Sequence, residues 1–187
     1  MKDYTDEINA YYDRLKTTID KIDRGEINRA MEALKQARDN KKYIFIMGNG
    51  GSASTASHFA GDFNKGLSLN RDNRFRFVCL NDNAATVLSL ANDVAYDAIF
   101  VEQLKNFLSE DDVVIAISGS GNSKNVVRAV EYAKERGNQV IGLTGYSGGE
   151  LMKLSDIKLH IPIDDMQIVE DLHMVFDHLI MSIFYKE

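Results

Sequence analysis

Residues 43–53 read Tyr43-Ile44-Phe45-Ile46-Met47-Gly48-Asn49-Gly50-Gly51-Ser52-Ala53. Five large apolar side chains in a row, without polar alternation, have the pattern of a strand buried on both faces. The run stops in three glycines within four positions, and a helical pattern follows from 52 to 65. Strand, glycine loop and helix in that order form the opening unit of a parallel α/β sheet. Working outward, the cycle repeats. Short apolar runs fall at 76–80, 113–117, 139–143 and 157–161, with helical patterns at 84–92, 96–108, 123–136 and 148–154 between them. This alternation predicts an α/β fold with a five-stranded parallel sheet and right-handed crossovers. A last helix is predicted over 167–185, separated from the fifth strand by Pro162, the only proline. Ahead of the sheet, Tyr4, Ile8, Tyr11, Tyr12, Leu15, Ile19 and Ile22 recur at helical spacing. Gly25 interrupts that pattern and a second helix is predicted over 26–38, so residues 1–39 form a helical arm that covers a core or a partner subunit.

The chain has 187 residues, a size that suits one domain spanning 1–187. With 22 basic against 28 acidic side chains its formal charge is −6. The excess is uneven: residues 150–187 hold 3 basic and 8 acidic groups, a balance of −5. A near-neutral body with an acidic end has no electrostatic basis for holding a nucleic-acid backbone. Cys79 is the single cysteine, so no internal disulfide forms, and its apolar neighbours Phe77, Val78 and Leu80 mark it as a small core residue. No apolar run approaches the roughly 18 residues that span a bilayer, and the first residues do not read as a signal peptide. No membrane association is expected, and the expected location is the cytoplasm.

In an open parallel sheet, ligands bind beyond the C-terminal ends of the strands. After the first strand, Gly48-Asn49-Gly50-Gly51-Ser52 lets backbone N–H groups converge at a helix start, which is either an anion site or a plain tight turn. It lacks the Gly-Lys-Ser/Thr of a Mg-nucleotide loop. After the third strand, Ser118-Gly119-Ser120-Gly121-Asn122-Ser123-Lys124 offers three hydroxyls and an amide. An N-cap explains one of those serines; a phosphate-type ligand explains all three. Thr144-Gly145 repeats the theme more mildly. His58 and Asp62, four residues apart, share one helix face and can bind a metal together, act as base and orienter, or form an ordinary surface pair. The last helix carries Glu170, Asp171, His173, Asp177 and His178, with Glu170 and Asp177 nearly coincident around its axis. Leu172, Val175, Phe176, Leu179 and Ile183 form a predicted core stripe opposite.

These features together resemble the sugar isomerase (SIS) domain family and, within it, the phosphoheptose isomerase group. The residues that carry the resemblance are Gly48-Asn49-Gly50-Gly51-Ser52 with His58-Phe59-Ala60, the pair Asn92-Asp93, Ser118-Gly119-Ser120-Gly121-Asn122-Ser123, and Leu143-Thr144-Gly145. The resemblance implies a flavodoxin-like three-layer sandwich assembled as a homotetramer, with active sites between subunits and the N-terminal helices at the interface. It places the phosphate of a sugar phosphate on Ser118, Ser120 and Ser123, with Gly119 in the same loop and with Ser52 and the Asn49, Gly50 and Gly51 backbone nearby. Asn92, Asp93 and Glu170 would contact the sugar. A zinc ion would be held by His58, Asp62, Glu170 and His178. Three positions depart from the family pattern: Asp62 stands for Glu, Glu170 for Gln, and Gly119 for Thr.

The implied reaction interconverts sedoheptulose 7-phosphate with an aldoheptose 7-phosphate, D-glycero-D-manno-heptose 7-phosphate, or isomerises a related heptose phosphate. It passes through an enediol and needs a base, an acid and stabilisation of an oxyanion. Asp62, His178 and Glu170 are the proton-transfer candidates, with Glu170 able to act as base if Asp62 only ligates. The departures also leave open a non-catalytic protein that binds a phosphosugar or a partner, similar to the replication initiator-associating member of the family. Part of the acidic end belongs to the helix that would face metal and phosphate, and a divalent cation between carboxylates and phosphate removes their mutual repulsion.

Overall fold

A computed structural model describes residues 2–187. Five strands, β1 (Ile44–Gly48), β2 (Phe77–Cys79), β3 (Val113–Ser118), β4 (Gln139–Thr144) and β5 (Ile157–His160), form one sheet in the order β2-β1-β3-β4-β5. Every pairing is parallel. This is the flavodoxin-like order, whose direction reverses between β1 and β3, so the crevice between their C-terminal ends is the ligand-binding position of the fold.

The continuous apolar runs are explained by the two layers that flank the sheet. Ile44 and Ile46 of β1 point into one core, and Phe45 and Met47 into the other. The first core is closed by α2 (Arg24–Asp39), α3 (Gly51–Gly61) and α8 (Met166–Phe184). The second is closed by α5 (Val101–Phe107), α6 (Lys124–Glu135) and α7 (Gly149–Leu154). Between β2 and β3, α4 (Ala84–Asp93) matches the helix expected over 84–92, whereas the single helix expected over 96–108 is a 3₁₀ turn at Tyr96–Ala98 followed by α5. Cys79 is half-buried against the first core, and burial pushes its thiol up to about 12, which keeps it inert at neutral pH.

α1 (Thr5–Ile19) precedes this layer, and only Thr18 of it is buried. The break between the first two helices falls at 20–23, not at Gly25. Asp23 caps α2, its carboxylate accepting from the N–H of Gly25 at 2.8 Å and of Glu26 at 3.4 Å, so Gly25 lies inside the first turn. The predicted stripe of α8 also shifts. Leu172 and Phe176 are buried with Ile168, Val169, Ile180 and Phe184, whereas Val175 and Ile183 face outward at 43% and 42% exposure. The buried arc turns far enough toward the polar side to take in His173 and Asp177, the latter fully enclosed. Among the described residues, no helix is long and apolar enough to cross a membrane.

Candidate active site between α3 and α8

β1 and β3 deliver their loops to the crevice side by side. α3 starts at Gly51 without a side-chain cap, and α6 starts after Ser123, whose hydroxyl caps nothing either. The Ser123 hydroxyl instead pairs with that of Ser118 at 3.0 Å. Two helix N-termini with free N–H groups therefore flank one cavity of 120 Å³, bordered by Asn49, Ser52, Ser118, Gly119, Ser120 and Ser123. Ser52 and Ser118 are buried, so their hydroxyls have few alternatives to a partner in that space. Gly121 closes the loop at φ +69°. The sequence-predicted phosphate residues thus come together, including the Gly50–Gly51 backbone at the start of α3. Gly119 packs against α8: a Cβ there would come within 2.6 Å of Met166 Sδ, so the threonine of the family pattern would require Met166 to move.

Asn49 turns toward a neighbouring cavity of 450 Å³ that shares Asn49 and Ser123 with the first and is completed by Tyr96, Asp97, Lys124 and Asn125. Its amide exchanges two hydrogen bonds with that of Asn125, at 2.8 and 2.9 Å, and accepts from the Tyr96 hydroxyl at 2.9 Å. Tyr96 and Asn125 are site neighbours that the sequence reading missed, because neither belongs to a loop rich in glycine or serine. Asn92 and Asp93 close α4 on the surface, where the Asn92 amide donates to the Asp93 carboxylate at 2.7 Å. The chain does not bring them into either cavity.

The other half of the site runs along α3 and α8. Glu170 lies at Gly51, His178 at His58 and Met181 at Gly66, so the two segments advance side by side in the same direction. After Gly61 the helix widens into one π turn, Asp62–Gly66, closed by Leu67 N–H donating to Asp62 C=O at 2.9 Å. Such single turns are frequent at functional sites, and this one begins on Asp62. There His58 Nε2 lies 3.1 Å from His178 Nε2 and 3.4 Å from Asp62 Oδ2. Asp62 Oδ2 is 3.9 Å from His178 Nε2, and Asp177 Oδ2 is 3.9 Å from His58 Nε2.

His58, Asp62, Asp177 and His178 each offer one ligand atom, and these four atoms all lie within 4.8 Å of one another. Two imidazoles and two carboxylates are a donor set suited to a divalent metal such as zinc. The fit has a structural sign. Both Asp177 oxygens are buried and lack any hydrogen-bond partner, an arrangement that is costly for a carboxylate unless a cation is beside it. Without one, burial first and the Asp62 charge second push the Asp177 carboxyl up to about 7. Of the four residues the resemblance gives to zinc, the structure brings together His58, Asp62 and His178. Glu170 lies two helical turns before Asp177, at the rim of the serine cavity, where a Cβ on Gly51 would meet its carboxylate oxygens at 2.5 and 2.6 Å. The sequence sign for Asp177 was its near coincidence with Glu170 around the α8 axis, but a charged residue on such a helix reads as solvent-facing until the packing is known.

The geometry can be set beside known proteins. The SIS domain model matches residues 3–145. The phosphoheptose isomerase of Helicobacter pylori (strain P12) is 33% identical over 174 residues, covering 93% of this chain and 90% of the relative. That of Aliarcobacter butzleri (strain RM4018) is 36% identical over 158 residues, 84% of this chain and 81% of the relative. The solved structure of a phosphoheptose isomerase from Francisella tularensis superposes with a TM-score of 0.90 at 28% identity, covering both chains completely. Matched by the family model from its first helix to the turn after β4, and by these relatives over more than four-fifths of its length, the chain belongs to the SIS domain family.

Proposed function

We propose that the protein is a metal-assisted heptose phosphate isomerase acting between sedoheptulose 7-phosphate and the corresponding aldose, D-glycero-D-manno-heptose 7-phosphate. The observation that carries this reading is the pairing of a phosphate-sized cavity at two uncapped helix starts with a His–Asp cluster about two helical turns further along one of those helices, α3, where α8 packs against it. The names of the relatives support the substrate class. A seven-carbon chain anchored by its phosphate on Ser118, Ser120 and Ser123 extends along α3 toward that cluster with its carbonyl end leading. Asn49, held by Asn125 and Tyr96, borders the serine cavity and can donate to sugar hydroxyls, whereas Asn92 and Asp93, outside both cavities, would reach the sugar only after a rearrangement of α4.

In the ketose-to-aldose direction a proton leaves C1 and the C2 carbonyl oxygen takes one up. The C1 hydroxyl then gives up its proton as C2 receives one, so no net proton is consumed. His178 and Asp62, in contact with one another through His58, hold and move protons at the C1–C2 end. Glu170, on the cavity side, is the further carboxylate able to act as base. The chemistry that a bound divalent ion, zinc by its ligands, supplies here is positive charge beside the two oxygens on which negative charge develops.

The same reading includes a homotetramer with the arm 1–39 at its interface. Tyr4, just ahead of α1, and Ile8 and Tyr12 within it are more than half exposed. A largely apolar groove of 370 Å³ opens between the helical arm and the outward residues Val175 and Ile183 of α8. A charged sugar phosphate is retained by membranes, which supports work in the cytoplasm.

The test is turnover of sedoheptulose 7-phosphate by purified protein supplied with Zn²⁺, followed by aldose formation. Asp62→Asn and His178→Ala are each expected to lower kcat by about 10²–10⁴-fold, the usual range for proton-transfer groups. Ser118→Ala with Ser123→Ala acts mainly on KM. Absence of turnover on five-, six- and seven-carbon ketose phosphates with metal present overturns the isomerase reading, and phosphosugar binding without turnover establishes the non-catalytic one.

A further inference from the structure

We propose that the fourth metal ligand in this chain is Asp177, which takes the place that family likeness gives to Glu170, and that Glu170 is left as a substrate-facing group at the serine cavity. The inference rests on the metal-assisted reading above but concerns which side chains do the holding.

Three observations carry it. First, the ligand atoms that converge are those of His58, Asp62, Asp177 and His178; Glu170 is not among them. Second, the Asp177 side chain has no solvent exposure, and neither of its oxygens has a hydrogen-bond partner in the protein. A buried carboxylate in that condition needs either a proton or a cation, and the nearest basic atom is the imidazole nitrogen of His58 at 3.9 Å, itself directed at the same point. A divalent ion at that point satisfies Asp177 and separates the two facing imidazole nitrogens of His58 and His178, 3.1 Å apart, each supplying a lone pair. Third, Glu170 already has a setting of its own. Its carboxylate rests against the start of α3, where free N–H groups and the helix dipole favour negative charge.

The shorter Asp62 is consistent with this arrangement. A carboxylate retracted by one methylene at position 62 leaves room at the cluster for a second one rising from α8. Position 177 occupies nearly the same angle as 170 about the α8 axis but lies about 10 Å further along it, level with His58.

The experiment compares Asp177→Asn with Glu170→Gln, both close in shape to the native residues. Metal-depleted proteins are titrated with Zn²⁺ against a chromophoric chelator and with Co²⁺, whose visible spectrum reports coordination. The expected result is one ion per chain in the native protein, an affinity at least 10-fold lower in Asp177→Asn with an altered Co²⁺ spectrum, and no more than a few-fold change in Glu170→Gln. As an independent measurement, chelator should lower the Tm of the native protein and of Glu170→Gln by similar amounts and that of Asp177→Asn by clearly less. If Asp177→Asn does not fold by circular dichroism, Asp177→Ser takes its place. Native affinity in Asp177→Asn, loss of metal in Glu170→Gln, or no metal binding by the native protein overturns the assignment. Metal binding with this ligand pattern but without sugar turnover upholds the assignment and removes the isomerase reading, so the two fail separately.

Discussion

His173 lies one turn of α8 before Asp177 and is 1% exposed, with neither ring nitrogen hydrogen-bonded. Burial holds its pKa down at about 4 against an ordinary 6.5. The unfolded chain therefore takes up a proton near pH 6.5 that the folded protein refuses until about pH 4. Between those values the unfolded state binds more protons, so stability falls as pH falls. A gap of that size corresponds to about 3 kcal/mol, complete near pH 4, where both states carry the proton. Asp177, with a raised folded value, slopes the opposite way in metal-free protein, losing stability as pH rises from the ordinary carboxyl range toward 7. Comparing native protein with His173→Leu in chelator isolates the histidine: denaturant unfolding at pH 6.5 and at pH 4 should show the native protein losing about 3 kcal/mol more than the variant. Parallel loss in the two proteins would show that His173 does not titrate as described.

Among the elements, the serine loop between β3 and α6 is the most tightly constrained. Gly121 has φ +69°, and a Cβ there would overlap the backbone carbonyl of Gly148 in the neighbouring turn. The loop and that turn are further tied by Leu151 N–H donating to Gly121 C=O at 2.9 Å. Gly121→Ala is expected to destabilise the protein by at least about 1–2 kcal/mol from backbone strain alone and to raise KM for the sugar phosphate, because Ser120 and Ser123 flank the displaced residue. Unchanged Tm and KM would show the loop to be more compliant than its contacts indicate. These elements also show what sequence makes visible. Strands buried on both faces declare themselves by unbroken apolar runs, and all five appear within a residue or two of their expected limits. Both loops that line the serine cavity are legible from clustered glycine and serine. The end of α3 was not: the π turn at Asp62 arises from packing against α8, and periodicity over 52–65 reads the same through either helix type. Nor was the burial of Asp177, since the outward rotation of Val175 and Ile183 depends on where α8 meets the sheet, which no local pattern states.

At the level of the whole molecule, the faces of α8 differ in chemistry. Its inner face carries the His–Asp cluster, and its outer face presents Val175, Leu179 and Ile183 to the groove shared with Ile19 and Ile22. If that groove receives another subunit, Ile19→Asp combined with Ile183→Asp lowers the mass measured by light scattering from that of a tetramer to that of a smaller species. Retention of the native mass would place the interface elsewhere. Because the substitutions leave the cluster untouched, activity lost on dissociation and recovered at high protein concentration, where subunits reassociate, would mean that the site borrows groups across the interface.

The facing imidazoles of His58 and His178 are separated by 120 residues in sequence. Bringing the ends of so long a segment together carries a closure entropy that only the finished hydrophobic layers repay. His58 and Asp62 meet Asp177 and His178 only when α8 docks against α3. The His–Asp cluster is thus a property of the docking of α8 on α3 and of neither segment alone.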